Sequence, residues 1–239
     1  ILTNQHRMAQ GQTPRMWKSG TSAGRGPGKS AKMAWLVNWM LTTRLGSTTI
    51  ITANTEAQLK TRTFAEISKW TNLLINAHWF DQSVLSIRPA AWFGKLIKDQ
   101  LGIDTGYYYA QGQLWSEENP DAFAGVHNPL GVFLGFDEAS GIPTAIFNVS
   151  AYFFTEPTLD RYWVVQSNPR RNSGGFYDCF HDPKTDWRLR HLDFRPVEGM
   201  DQALIEREIE KHGIDSDVVR MEILGQFPKQ GMQQFIGSD

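Results

Sequence analysis

The sequence predicts an α/β fold, a mainly parallel central sheet flanked by helices, from three observations. Short β-branched or apolar runs alternate with longer stretches of helical periodicity, the order that builds strand–helix–strand crossovers. A glycine-rich turn at residues 24–28 lies between the first such run and the first long helical stretch. Further on, an apolar run at residues 132–136 closes on two adjacent carboxylates.

Taken in order, residues 15–22 are short and mixed and run into glycines, as a strand entering a loop does. Residues 29–44 are rich in Ala, Met, Leu and Trp with no breaker before Gly46, and read as a buried helix. Residues 48–52 form a β-branched strand. Over residues 55–77, Leu59, Phe64, Ile67, Trp70 and Leu74 recur at helical spacing, so that helix lays one face on the sheet. Residues 83–115 alternate more loosely around Gly102, Gly106 and Gly112, and read as strands in a hairpin-like excursion. The apolar run at 132–136 is a strand, 142–151 a helix and 162–166 another strand. Residues 201–212 and 215–224 are amphipathic helices, each opened by an acidic residue and stopped by Gly, and regular structure ends at Phe227-Pro228.

Composition bounds the function. The chain has 239 residues, 41% of them hydrophobic, with nine Trp and fourteen Phe, enough for one full core. The longest apolar stretch, residues 31–40, is interrupted by Lys32 and Asn38 and falls short of the roughly 20 residues that span a bilayer, so no membrane partner is expected. A lone cysteine, Cys179, excludes a disulfide framework within the chain and a cysteine-rich zinc site; it reads as a small core residue in a reducing cytoplasm. Starting at Ile1 without a Met, the sequence is expected to begin inside a longer polypeptide. The net charge of −1 hides an asymmetry: residues 1–55 carry seven Lys or Arg and no acid, whereas residues 193–222 carry nine acids against four Lys or Arg. A basic block of this kind collects anions.

Its local sequence says which anion. Ala23-Gly24-Arg25-Gly26-Pro27-Gly28-Lys29-Ser30 sits at a strand-to-helix junction. Glycines let the backbone wrap with its N–H groups inward, and the helix N-terminus adds partial positive charge at the same spot. Lys29 would reach the β- and γ-phosphates of ATP, and Ser30 would offer its hydroxyl to Mg²⁺. The pattern usually begins with Gly, where this chain has Ala23; a glycine-rich turn that merely caps a helix is the alternative. Arg25, four residues before the lysine on a loop curled round phosphates, is suited to stabilise charge on the γ-phosphoryl oxygens as an arginine finger in cis; a solvated loop arginine is the alternative.

The acidic partner follows at Asp137-Glu138. A buried strand delivers its last residues to the edge where ligands bind in open α/β sheets. Asp137 would hold Mg²⁺, directly or through water, and Glu138 would orient and deprotonate the attacking water. An acidic turn capping the next helix is the bland reading of the same doublet. Ser167-Asn168 ends a third strand on that edge; Asn168 either senses the γ-phosphate or belongs to an Asn-Pro turn.

Together these segments resemble the large terminase subunit of tailed bacteriophages. The likeness rests on Ser22 through Ser30, Thr52-Ala53-Asn54-Thr55-Glu56-Ala57-Gln58-Leu59, Trp115-Ser116-Glu117-Glu118-Asn119-Pro120 and Ala122-Phe123-Ala124-Gly125-Val126-His127. It continues through Phe136-Asp137-Glu138-Ala139-Ser140, Ser167-Asn168-Pro169-Arg170-Arg171 and Gly225-Gln226-Phe227-Pro228. The resemblance implies a P-loop NTPase of the additional-strand, catalytic-Glu type, an ATPase that pumps double-stranded DNA into a procapsid in the host cytoplasm. It implies a weakened first glycine and an extra loop arginine, the two oddities at Ala23 and Arg25. It assigns Asp137 and Glu138 to metal binding and catalysis and Ser167-Asn168 to the coupling motif, and makes Arg170 and Arg171 candidates for reaching a neighbouring subunit's ATP in a homo-oligomeric ring on a portal. A small terminase subunit is the further partner it implies. Residues 1–227 then form one ATPase domain and 228–239 a linker toward a nuclease domain absent from the sequence, so DNA cleavage by this chain is not expected. Gln5 is a candidate for the family's adenine contact by residue type alone. A helicase-like or remodelling ATPase would share Lys29, Asp137 and Glu138, and is the alternative.

Overall fold

A computed structural model describes residues 2–26 and 28–229. In chain order the elements are α1 (Leu2–Ala9), β1 (Trp17–Ala23), α2 (Lys29–Thr43) and β2 (Thr48–Thr52). A helical rod follows, built from α3 (Glu56–Gln58), a π-helical turn (Leu59–Phe64) and α4 (Ala65–Asn72). Then come β3 (Phe80–Ser83), β4 (Ser86–Pro89), α5 (Ala91–Leu101), β5 (Tyr109–Gly112), β6 (Val132–Asp137), α6 (Thr144–Ser150) and β7 (Arg161–Ser167). The described chain finishes with α7 (Gly175–His181), β8 (Arg188–Leu192), α8 (Gln202–His212) and α9 (Asp217–Glu222).

The described strands form one eight-stranded sheet in the order β3-β4-β5-β2-β6-β7-β1-β8. From β5 to β8 every pairing is parallel; β3–β4 and β4–β5 are antiparallel. One strand, β7, stands between β1 and β6, the insertion expected of the additional-strand class. Strand alternation divides the core into two layers. Ile51, Phe133 and Val164 face α2, the rod and α5, whereas Ile50, Leu134, Phe136, Trp163 and Val165 share the other face and pack with Phe147 and Phe176. A small third cluster of Ile205, Val219 and Ile223 holds α8 on α9. Cys179 lies in the second layer, where burial pushes its thiol up to about 12, so it is an inert core residue. Among the described residues no helix is long and apolar enough to cross a membrane.

Several elements differ from the sequence expectation. The rod ends at Asn72 rather than residue 77, and Leu73 is largely exposed. Its π turn has a plain cause. Leu59 and Phe64 are five residues apart and both fully buried; at about 100° per residue an α-helix would set them roughly 140° apart, whereas i→i+5 winding stacks them. Residues 83–115 contain a helix, α5, as well as strands. Phe93 and Ile97 fill its buried face, but exposed Trp92, Leu96 and Leu101 blur the period, and Gly94 breaks the apolar pattern. Helix α2 is buried on one face only: Trp35 is 53% exposed and meets Trp70 edge-on at 5.1 Å. α1, α7 and β8 were not anticipated. β8 carries Arg188, Arg190 and His191 along the sheet margin, where charge suits an edge strand and hides its apolar alternation.

Candidate active site

The register fixes which residues meet. β1, β7 and β6 run parallel with Ser22 beside Ser167 and Asp137 beside Gln166, so the glycine turn, the carboxylate doublet and Asn168 leave the sheet at one edge. Between them lies a cleft of about 630 Å³, lined by Arg25, Gly26, Gly28, Lys29, Ser30, Glu138, Asn168 and Arg170, with Gln58, Arg62 and Glu66 from the rod.

The turn is shaped from both sides. Ala23 is the last residue of β1 and fully buried, so its extended backbone needs no glycine. Gly26 (φ 90°) and Gly28 (φ 82°) are left-handed, which glycine alone adopts freely, and Gly28 N–H donates to Gly26 O at 2.8 Å. Pro27 lies outside the described residues. Gly28 caps α2 without a side-chain bond, which leaves the first N–H groups of α2 to an anion. Beneath the turn lies the end of α9: a Cβ on Gly24 would fall 2.5 Å from the Glu222 carbonyl oxygen, and Arg25 N–H donates to that oxygen at 2.9 Å. Gly225 (φ 62°) then passes so close that a Cβ would meet Ala23 Cα at 2.8 Å, and its carbonyl accepts from Ser22 Oγ at 2.6 Å.

Lys29 Nζ donates to Gly24 O and to Asn168 Oδ1, both at 2.8 Å. Burial lowers its pKa, against the opposing pull of Glu138, Asp137 and Glu222. The Arg25 guanidinium pairs with Glu222 (Nε to Oε2, 2.5 Å), and Asn168 Nδ2 reaches the same carboxylate at 3.4 Å. Asp137 is buried and held on both oxygens: Oδ2 accepts from Thr63 Oγ1 at 2.7 Å, and Oδ1 from Gln166 Nε2 at 3.1 Å. The same Gln166 amide nitrogen donates to Lys29 O at 2.7 Å, bridging the carboxylate to the first residue of α2. Glu138 turns out of the strand at φ 50°, ψ 42°, the one described non-glycine residue with positive φ, a strained geometry that aims its carboxyl into the cleft. Ser167 Oγ donates to Ser140 Oγ at 2.8 Å, with Glu138 Oε2 3.5 Å away.

The sequence-selected residues Arg25, Lys29, Ser30, Glu138 and Asn168 thus share one cleft, with Asp137 buried behind it. Arg170 lines its own chain's cleft, while Arg171 is exposed and outside the lining. Gln5 is exposed on α1, whose Asn4 bonds Arg15 O and Leu159 O at the opposite edge of the sheet, away from the glycine turn. Sequence reasoning missed Thr63, Arg62 and Glu222. Nothing local marks them; the one trace is the five-residue gap from Leu59 to Phe64. No cluster of three or more His, Cys, Asp or Glu among the described residues could cage a metal. A divalent ion here would take most ligands from phosphate and water, the habit of Mg²⁺, for which a serine hydroxyl and one anchored carboxylate are a fitting donor set.

A second lysine feels the same field. Lys32, one turn along α2, donates to Thr21 Oγ1 at 2.7 Å, and its pKa falls to about 8, through burial first, then nearby Arg190 and Lys29. Because the folded value lies below the usual 10.5, the charge destabilises the fold in full below pH 8, and that destabilisation is relieved as pH rises from 8 to 10.5. Lys32→Met is therefore expected to stabilise the protein by about 1–2 kcal/mol at pH 7, with the gain over wild type shrinking toward pH 10.5. Urea midpoints of both proteins across that range check it.

No protein-family model and no curated protein matches the sequence. Solved structures do match its fold. The large terminase of a thermophilic bacteriophage, solved with ADP, superimposes with a TM-score of 0.62 at 14% identity, over 88% of this chain and 48% of that one. The complex of a thermophilic phage large terminase with ATP-γ-S gives 0.58 at 14%, over 89% and 48%. The Thermus phage P74-26 large terminase ATPase domain gives 0.55 at 17%, over 94% of this chain and 98% of that domain. The chain spans about half the length of the large terminases it matches and nearly all of the isolated ATPase domain. It has the mostly parallel, helix-flanked P-loop fold of phage terminase ATPase domains.

Proposed function

We propose that this chain is the ATP-hydrolysing motor domain of a phage large terminase, coupling hydrolysis to movement of double-stranded DNA into a procapsid. The observation that carries the reading is the meeting of Lys29 and Glu138, from distant parts of the chain, in one cleft at the end of the sheet. Cationic Arg25, Lys29, Arg62 and Arg170 outnumber its two lining carboxylates, Glu66 and Glu138, as a triphosphate requires.

The uncapped N–H groups at the start of α2 bind the phosphates, and Lys29 exchanges Gly24 O and Asn168 for phosphate oxygens. Bound Mg²⁺ would neutralise and orient the β- and γ-oxygens; Ser30 and Asp137 would hold it. Glu138 accepts the proton of the attacking water as its oxygen bonds to the γ-phosphorus, while the bond to the β–γ bridging oxygen breaks and its electron pair leaves with ADP. Arg25, transferred from Glu222 to the γ-phosphoryl oxygens, stabilises the charge that gathers there. Asn168, released by Lys29, still touches Glu222, so exchange at the phosphates is felt at α9. In the assembled motor, copies of the chain form a ring on a portal in the host cytoplasm, served by a small subunit, with Arg170 and Arg171 at the margin between neighbours. DNA is held through its phosphates, with affinity that drops steeply as salt rises.

The test is phosphate release from Mg·ATP with no acceptor present. Wild-type chain should turn over, and Arg25→Ala should lose about 10²-fold or more. A wild type that neither binds ATP-γ-S nor releases phosphate would overturn the reading. Duplex strand displacement without packaging of DNA into procapsids would favour a helicase-like motor instead.

A further inference from the structure

We propose that Arg62 contacts the γ-phosphate and tells ATP from ADP, set in place by the π-helical turn of the rod; the inference rests on the nucleotide reading above. The turn faces two ways. Leu59 and Phe64 drop into the core under the sheet, and on the other side Gln58, Arg62 and Glu66, four residues apart, line the cleft.

Thr63 fixes where along the cleft this happens. Its buried hydroxyl donates to Asp137 Oδ2 at 2.7 Å, so the residue beside Arg62 is tied to the carboxylate that lies next to the first residue of α2. That is the terminal-phosphate end of the site, where the turn, Lys29 and Glu138 converge. The charge on Arg62 is free for such a contact. Among the described residues no carboxylate pairs with it: Glu66 accepts from Lys69 and from Trp70 Nε1, and Glu222 is engaged with Arg25. A guanidinium at a cleft without an acidic partner matches a phosphoryl group, whose oxygens it can bind in pairs. A nucleoside diphosphate ends one phosphate earlier and loses that contact, so discrimination follows from reach.

Binding of ATP-γ-S and of ADP to wild type, Arg62→Ala and Arg62→Lys, measured by calorimetry, tests the assignment without relying on turnover. Arg62→Ala should weaken ATP-γ-S by about 10-fold or more and ADP by less than about 3-fold, with Arg62→Lys between wild type and Ala. Equal weakening of both nucleotides, or none, overturns it. If wild type binds neither nucleotide, the function proposed above fails; if wild type binds both and Arg62→Ala binds them alike, only this inference fails. Thr63→Val, titrated in EDTA so that Asp137 has no metal to hold, separates the placing of Arg62 from its charge. It should weaken ATP-γ-S by about 3-fold or more while sparing ADP, with recovery in Thr63→Ser; an unchanged ATP-γ-S affinity in a folded Thr63→Val protein overturns the role of the turn.

Discussion

Glu138→Gln is expected to stop turnover while leaving the nucleotide bound. Gln keeps the length and shape of the side chain, so the left-handed backbone at φ 50° is no more strained than before and the fold around β6 is kept. What is lost is the one cleft carboxylate placed to accept a proton; Glu66, the other, is committed to Lys69 and Trp70. Removing a positioned base slows the step by about 10²–10⁴-fold. ATP-γ-S affinity should stay within about 3-fold, because the proposed reading gives the phosphates to Lys29 and the start of α2 and not to Glu138. Phosphate release and a binding titration on the same preparation check both halves. A variant that keeps more than a tenth of wild-type turnover removes Glu138 from the mechanism.

Phe227→Ala should destabilise the fold strongly. The ring is 6% exposed and sits among Phe176, Phe180, Tyr177, His181 and His191, with centroids 5.0–6.2 Å away. Its carbonyl accepts from Arg220 Nε at 3.0 Å, which ties the same residue to α9. Deleting a buried aromatic of this kind costs about 3–5 kcal/mol, a fall in Tm of roughly 6–20 °C for a chain of this size. Phe227→Leu, which keeps most of the volume, should lose less than half as much. A melting point within about 2 °C of wild type for the Ala variant would show that the aromatic cluster closes without this ring.

Much of the sheet was legible because its strands are buried on both faces and read as apolar or β-branched runs: Val132–Asp137 and Thr48–Thr52 are buried at every position. The glycine turn was legible because a left-handed backbone requires Gly26 and Gly28. The carboxylate doublet was legible because a parallel strand must end at the ligand edge. What was hidden depends on partners remote in sequence. Glu222 looks like one more acid on an amphipathic helix until α9 folds beneath the turn, and Thr63 looks like one more solvent-facing hydroxyl on a helix until the π winding swings it to Asp137. β8 was hidden because an edge strand carries its charges outward, and α5 because its apolar residues lie on the exposed side as well as the buried one. Residues 230–239, read from sequence as most of a linker, lie outside the described residues.

The close passage of Gly225 under Ala23 has a mechanical consequence. Its carbonyl is gripped by Ser22 Oγ at 2.6 Å and lies 3.0 Å from His191 Nδ1, while Lys229 N–H is pinned to Asp217 Oδ1 at 2.7 Å. A pull on the backbone at Lys229 is therefore shared between α9, through Asp217, and, four residues upstream, the floor of the glycine turn. A tug from downstream and a shift of the glycine turn act on the same lever.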